Sequence, residues 1–407
     1  MVSKNRNYIY NYILNGIILL LVLGYLYSGT LPKHADFWNL NMMAQIFGSG
    51  HYDFYDYITN TMQTHFKNPI IYPADYYVIQ GTYLKIISII FHSPISTWTL
   101  IPTAAPRFFP FFGILPNIII FFIGGFLIYK AYPQKELVIA YLASPLAFIS
   151  IQIMGQVDVY PAFFTLLALY FAKKSFETIG QKWKLLSIIS LAIGAEFKTY
   201  PLLLLLPLAL FLADKNILQT IKYAIIGIAV SLAPWIPYLK WFKSMVLEGE
   251  SNWLFNLQLA PVNLPPYHTI SIWIVGYCVL LWAVFRYIKT SFKNLVAILF
   301  LTCSWLFITV YTHPQWWIWL LPVSIFVLGE FEDKAFKWLY VALNALFIFY
   351  PMMWMDAGMI QLIRNYIPAI PVEGTQATVL VSLIVTILVI WNLELYYAIK
   401  PKEGHSN

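Results

Sequence analysis

The chain has 407 residues, of which 60% are hydrophobic and only 11% are charged, and its mean hydropathy is +0.68. Soluble globular domains carry about 25% charged residues, so this chain lacks the polar residues needed to cover a soluble core of its size. A soluble enzyme, a disordered protein and a disulfide scaffold are excluded, and a polytopic membrane protein remains. The net charge of +7 comes without a basic patch interleaved with aromatic residues, so we expect no nucleic-acid partner.

Twelve windows are apolar and long enough, or nearly so, to cross a bilayer. The first window follows Lys4 and Arg6 and is longer than a signal-peptide core, so it is predicted to be a retained transmembrane helix. The windows are 8–29, 109–129, 136–152, 159–172, 184–197, 199–213, 217–240, 269–288, 294–311, 315–329, 336–354 and 377–398.

An even number of spans places both termini on the same side of the membrane. Most of the 25 Lys and Arg residues fall in the short loops on that side, and short loops rich in Lys and Arg stay in the cytoplasm. We therefore predict a multi-pass cell-membrane protein with both termini cytoplasmic. Cys278 and Cys303 lie inside apolar runs and are expected to be packed thiols.

The first outer loop, 30–107, is far longer than a typical connection between helices. Apolar residues recur at helical spacing after Asp36, and 76–91 is a second amphipathic stretch. Both patterns predict helices that lie in the outer membrane interface. No internal repeat or low-complexity linker is visible, so a single transmembrane domain over 1–407 is predicted.

The first outer loop also carries three candidate acidic residues. Asp36, in HADFWNL, lies beside Phe37 and Trp38. These apolar neighbours would partly desolvate its carboxyl group, which raises the pKa and suits a general base. The alternative is a helix N-cap, and the two roles can coexist. Asp53 and Asp56, in HYDFYDY, have a D-x-x-D spacing that could hold a divalent cation, or they belong to a solvated loop near the headgroups.

Two motifs place polar residues at the outer ends of predicted spans. Gln156 and Asp158, in MGQVDVYP, could bind substrate or begin the following helix. Glu196, Lys198 and Tyr200 follow in AEFKTYP. The ammonium group of Lys198 suits a lipid phosphate, and the alternative is a salt bridge with Glu196 or Asp158.

His313, in YTHPQWW, lies at another outer turn, where it could donate to a phosphate, orient a base or simply contact the interface. Arg107 and Arg364 are weaker phosphate candidates and could equally be headgroup anchors. The sequence has no Walker loop, no H-E-x-x-H, no G-x-S-x-G and no Cys-pair zinc spacing. ATP-driven transport and soluble-type catalysis therefore lack their usual signatures.

The order of three motifs resembles a known family. GQVDVYP is followed about 40 residues later by FKTYPLLLLLP and then by HPQWWIWLLP. This order resembles bacterial glycosyltransferase family 87, the PimE-like mannosyltransferases that use polyprenyl-phosphate-mannose and have the GT-C fold. The resemblance spans most of the chain, but each motif is short.

The resemblance implies an all-α GT-C protein with about 12 transmembrane helices. It implies transfer, with inversion, of a hexose, usually mannose, from a polyprenyl-phosphate donor to a hydroxyl group of a glycolipid or glycan acceptor on the extracytoplasmic face. Membrane lipids are the other expected partners. No cofactor is certain, and metal dependence is open because the D-x-x-D spacing of Asp53 and Asp56 is not a D-x-D.

The same resemblance assigns roles to the candidate residues. Asp36 corresponds to the catalytic base, and Lys198 and His313 correspond to polar residues around the donor phosphate. The remaining expectations are Arg107 near the same phosphate and Gln156, Asp158, Glu196 and Tyr200 as substrate-binding or site-ordering residues. Because the leaving group is already an anion, no strong general acid is needed.

Two other classes of protein compete with this interpretation. Transporters or flippases of lipid-linked sugars tend to show inverted repeats and polar breaks near the membrane midplane, whereas here the ionisable residues gather at the outer ends of predicted spans. A non-catalytic subunit of a cell-envelope assembly is the third class.

Overall fold

The computed structural model describes residues 2–30, 35–57, 74–93, 109–178, 180–239, 261–264, 268–310, 313–349 and 374–399. Within these ranges the side chains of 2–9, 35–36, 261–264, 268–270, 314 and 374–378 are not described.

A helix lies in each of the twelve apolar windows, which confirms the prediction of a helical chain. Among the described residues the exception is a two-stranded antiparallel hairpin, β1 Pro261–Leu264 and β2 His268–Ser271, in which Pro261 pairs with Ser271. The α-helices are α1 Val2–Ser28, α2 Ala35–Gly48, α3 Ala74–Ile90, α4 Phe109–Ala131, α5 Lys135–Leu142, α6 Pro145–Phe148, α7 Val159–Thr178, α8 Gln181–Phe197, α9 Pro201–Leu212, α10 Ile217–Leu232, α11 Ile272–Arg286, α12 Phe292–Thr309, α13 Leu320–Glu330, α14 Lys334–Phe347 and α15 Gly374–Ile399.

Three shorter helical turns complete the described elements. A π-helical turn, Ile149–Ile153, continues α6. A 3₁₀ turn, Ala233–Tyr238, continues α10, and a second one, Pro314–Trp319, precedes α13. These turns matter because two of them lie beside the polar motifs of the sequence.

Five helices in the described residues are long and apolar enough to cross a membrane. A sixth candidate is the pair formed by α5 and α6 with its π turn, which is bent by 41° at the break. This is the architecture of a polytopic helical membrane protein, and twelve crossings remain a prediction. The five candidate spans are Tyr10–Ser28, Phe109–Ala131, Ile217–Tyr238, Phe292–Thr309 and Val379–Ile399.

Large apolar side chains cover the outside of these helices. Leu20 is 69% exposed, and Leu218 is 80% exposed at the start of α10. Such a surface is unfavourable in water and favourable in lipid. Inside, most of the buried apolar residues of the described segments form one connected cluster, which includes Ile118, Leu166 and Phe326.

The two predicted loop helices exist as α2 and α3, and they pack against each other. Gln80 joins them to the bundle, because its Nε2 donates to Asn41 Oδ1 at 2.7 Å and to the Gly113 carbonyl of α4 at 2.8 Å. Phe37 and Leu40 of α2 are fully buried. The loop helices therefore contact the bundle, and their position at the outer interface stays a prediction.

The turn before Asp158 is built around Gly155. Its φ of +61° is in the left-handed region, and a Cβ there would fall 2.6 Å from the ring of Phe37. Glycine satisfies both requirements, since it adopts positive φ without strain and leaves room for close packing. The beginning of α2, and with it the backbone of Asp36, is thereby brought against the MGQVDVYP motif.

Candidate functional site

Three chain segments meet at one end of the bundle, where α7 begins, α8 ends and α13 begins. The carboxylate of Asp158 is fully buried, and Lys198 Nζ lies 3.1 Å from each of its two oxygens. Trp319 Nε1 donates to Asp158 Oδ1 at 2.8 Å. The salt bridge between Lys198 and Asp158, one of the alternatives that the sequence left open, is therefore present.

The backbone explains why Lys198 can reach Asp158. α8 ends at Phe197, and Lys198 is extended, with φ −155° and ψ 141°. α7 and α8 form a hairpin, so the residue after α8 returns to the residue that precedes α7. Burial raises the pKa of Asp158, and the Lys198 ammonium and the Trp319 N–H counteract this effect.

An aromatic stack adjoins the ion pair. The ring of Tyr200 lies 4.1 Å from that of Trp319 at an interplanar angle of 9°, and Trp316 follows at 5.2 Å and 10°. Lys198 Nζ is 5.7 Å from the ring centroids of both tryptophans. The Tyr200 hydroxyl lies 3.1 Å from Thr165 Oγ1, which fixes the buried end of the stack.

His313 is exposed and contacts the outer end of this stack. Its ring is 5.0 Å from that of Trp316 at an angle of 61°. The structure thus brings Asp158, Lys198, Tyr200 and His313 into one cluster, with Trp316 between the lysine and the histidine. We call these residues, together with Trp316 and Trp319, the lysine–tryptophan site.

Gln156 is fully buried, and its backbone shapes the turn that precedes Asp158. Its N–H donates to the Ser150 carbonyl at 3.1 Å, and its carbonyl accepts from Asn117 Nδ2 at 3.1 Å. These bonds tie the turn to the π turn and to α4. Such contacts suit a residue that orders the site.

Glu196 lies two residues before Lys198, and its carboxylate interacts electrostatically with that of Asp75 in the first turn of α3. Asp75 is near Tyr55 and Tyr238, whose rings are 5.4 Å apart. Burial raises the pKa of Asp75 to about 6. Sequence analysis missed Asp75 because an aspartate at that position is an ordinary sign of a helix start.

The raised pKa of Asp75 makes a prediction about stability. Because folding favours its protonated form, the free energy of unfolding falls as pH rises from about 4 to about 6. Asp75→Asn removes the ionisation. The melting temperature of this variant in detergent, minus that of the wild type, should therefore be larger at pH 7 than at pH 4. Asp214→Asn, at an exposed position, is the control that should show no such gain. The same difference in melting temperature between Asp75→Asn and the wild type at pH 4 and at pH 7 would contradict the prediction.

Other predicted site residues are only partly described or lie elsewhere. Asp36 begins α2 as its second residue, but its side chain is not described. Asp53 is exposed and Asp56 half-buried, and the described residues contain no group of three or more His, Cys, Asp or Glu side chains that could hold a metal ion. Arg107 and Arg364 lie outside the described residues.

No protein-family model, curated protein or solved structure matches this chain. The resemblance to glycosyltransferase family 87 therefore remains a prediction from three sequence motifs.

Proposed function

We propose that this chain is an integral membrane glycosyltransferase with the GT-C fold and about 12 transmembrane helices. It takes a hexose, by the resemblance mannose, from polyprenyl phosphate and transfers it with inversion to a hydroxyl group of a glycolipid or glycan. The site faces the extracytoplasmic side, and both termini are cytoplasmic. The observation that carries the proposal is the lysine–tryptophan site, in which a cation and broad aromatic faces adjoin the start of α2.

Lys198 is the donor-phosphate residue in this proposal. Its side chain is 11% exposed, while the Asp158 that it contacts is fully buried. Asp158, whose carboxylate accepts from Trp319 Nε1, holds the ammonium group in place, so the ammonium group stabilises the phosphate without a large rearrangement. His313, which is exposed at the edge of Trp316, adds a second donor, and Arg107 remains a third candidate.

Asp36 is the general base in this proposal. Its backbone lies next to Phe37, which packs on Gly155, three residues before Asp158. The acceptor hydroxyl gives its proton to the Asp36 carboxylate, and its oxygen forms a bond to the anomeric carbon from the face opposite the phosphate. The bond from that carbon to the phosphate oxygen breaks, and its electron pair leaves with the polyprenyl phosphate.

The aromatic faces give the site a surface for the sugar. Trp316 is half-buried, and it forms a continuous stack with Trp319 and Tyr200. Apolar faces with a few placed polar groups are typical of small-molecule sites. Glu196 and Asp75, which adjoin the lysine–tryptophan site through the end of α8, are available for hydroxyl groups of the acceptor.

A transporter of lipid-linked sugars is the second candidate, and one observation favours it. The α5–α6 pair is bent and ends in a π turn directly before the site, and broken helices often line transport pathways. The charged residues of the lysine–tryptophan site lie at helix ends and not at this break, which favours the enzyme.

The test uses membranes that overproduce the chain and a panel of polyprenyl phosphates carrying different labelled sugars. We expect the label of one sugar to move into a new lipid or glycan product, and to do so far less with Lys198→Met. Lys222→Met, at an exposed position of α10, is the matched control and should transfer normally. Label that crosses the membrane while still attached to its carrier would support the transporter instead.

A further inference from the structure

Gln315 lies in the 3₁₀ turn that supplies Trp316 and Trp319 to the lysine–tryptophan site. It is only 6% exposed, and none of the described residues donates a hydrogen bond to its Oε1. A buried amide oxygen without a donor costs free energy, and native proteins rarely keep one without a reason. Gln315 was not singled out by the sequence analysis, since a glutamine between two aromatic motifs carries no signal of its own.

The chemistry of this oxygen restricts what can fill its hydrogen bond. An amide oxygen only accepts, so its partner has to bring an N–H or O–H hydrogen. An ionised phosphate group offers acceptors alone and would be repelled there. Sugar hydroxyl groups donate, and several of them project from every hexose ring.

Neighbouring elements also contain buried side-chain oxygens without a hydrogen-bond partner among the described residues. The turn that carries Gln315 packs against the π turn Ile149–Ile153. Ser150 Oγ in that π turn and Asn117 Oδ1 in α4 are also buried without a partner among the described residues. Both residues bond to the backbone of Gln156, so all three oxygens belong to the elements around the Gly155 turn.

Gln315 is the least buried of these three residues. Ser150 is completely buried and Asn117 is 2% exposed, so waters inside the protein are the natural partners of their oxygens. Gln315 is flanked by the exposed His313 and the half-buried Trp316. A sugar that binds at Trp316 would therefore contact the turn that carries Gln315.

We propose that Gln315 is a specificity-determining residue for the donor sugar, whose ring hydroxyl donates to Gln315 Oε1 while Lys198 holds the donor phosphate. This inference rests on the proposed glycosyltransferase function and adds a contact that selects among sugars. The other hydroxyl groups of the sugar ring would be recognised by residues other than Gln315.

The test compares kcat/KM of purified wild type and Gln315→Ala on the donor that the wild type uses and on its deoxy analogues, each lacking one hydroxyl. For one analogue we expect the wild type to lose roughly 5- to 100-fold. Gln315→Ala should lose a similar factor on the parent donor and nothing further on that analogue, because the two changes remove the same bond. Gln315→Met, which keeps the volume without the amide oxygen, replaces the alanine variant if that variant does not fold.

A purely structural role would give a different pattern. Gln315→Ala would then lower kcat/KM for the parent donor and for every analogue by the same factor, and this would overturn the inference. Gln219→Ala, in the first turn of α10, is the control and should keep the wild-type discrimination. A wild type that transfers no sugar from any donor would overturn the proposed function, and the inference with it.

Discussion

Asp36→Asn should abolish sugar transfer while the protein still inserts and folds. The amide keeps the size of the side chain, but it cannot take the proton of the acceptor hydroxyl. General bases contribute about 10²- to 10⁴-fold to rate, so the loss in kcat should fall in that range. The measurement is the initial rate of labelled product formation, with gel filtration in detergent to show that the fold is intact.

The control for this substitution is Asp53→Asn, which changes an exposed carboxylate of the same outer loop. It should retain activity unless the D-x-x-D pair binds a metal ion that the reaction needs. Activity lost in Asp53→Asn and restored by added Mg²⁺ or Mn²⁺ would place a metal ion at that pair. Full activity of Asp36→Asn would remove Asp36 from the mechanism.

Lys198→Ala should both inactivate and destabilise the protein. It leaves the fully buried Asp158 carboxylate with Trp319 Nε1 but without its cation. Removing one partner of a buried ion pair costs about 3–5 kcal/mol of unfolding free energy. The double variant Lys198→Met with Asp158→Asn should recover most of that stability, because the asparagine oxygen still accepts from Trp319 and no charge is buried alone. It should stay inactive, since the cation for the donor phosphate is gone.

Thermal unfolding in detergent measures the stability of these variants, and a transfer assay measures their activity. Lys174→Met is the matched control, because Lys174 pairs with Glu177 at 2.8 Å while both side chains are largely accessible, at 32% and 43% exposed. Exposed pairs contribute about 0–1 kcal/mol, so stability and activity should both persist. An active double variant would show that Lys198 serves only the fold.

The helices were the most predictable part of this protein. A continuous apolar run in lipid has to form a helix, because only a helix satisfies its backbone within one segment. The helical spacing after Asp36 likewise predicted α2, and the structure adds that Phe37 and Leu40 are buried against the bundle. The break between α5 and α6 and its π turn were not predicted, since local packing and not composition decides such details.

The contacts of the site were predictable only where they join residues that are close in the sequence or at the ends of one helical hairpin. The bond between Lys198 and Asp158 was one of two alternatives, because both residues flank the hairpin of α7 and α8. Trp319 donates to Asp158 from a position 161 residues away, and no local pattern could show that. Asp75 and Gln315 were missed because neither carries a distinctive local signal: an aspartate there is an ordinary helix start, and a lone glutamine indicates nothing by itself.

Transfer by the purified protein in detergent is the measurement that tests the central claim most directly. The wild type is incubated with a labelled polyprenyl-phosphate hexose and with lipids extracted from the membranes in which the chain is produced. We predict a labelled product whose new bond has the opposite anomeric configuration to the donor, and none with Asp36→Asn. Absence of any product, together with movement of the intact sugar lipid across reconstituted vesicles, would contradict the account and identify a transporter.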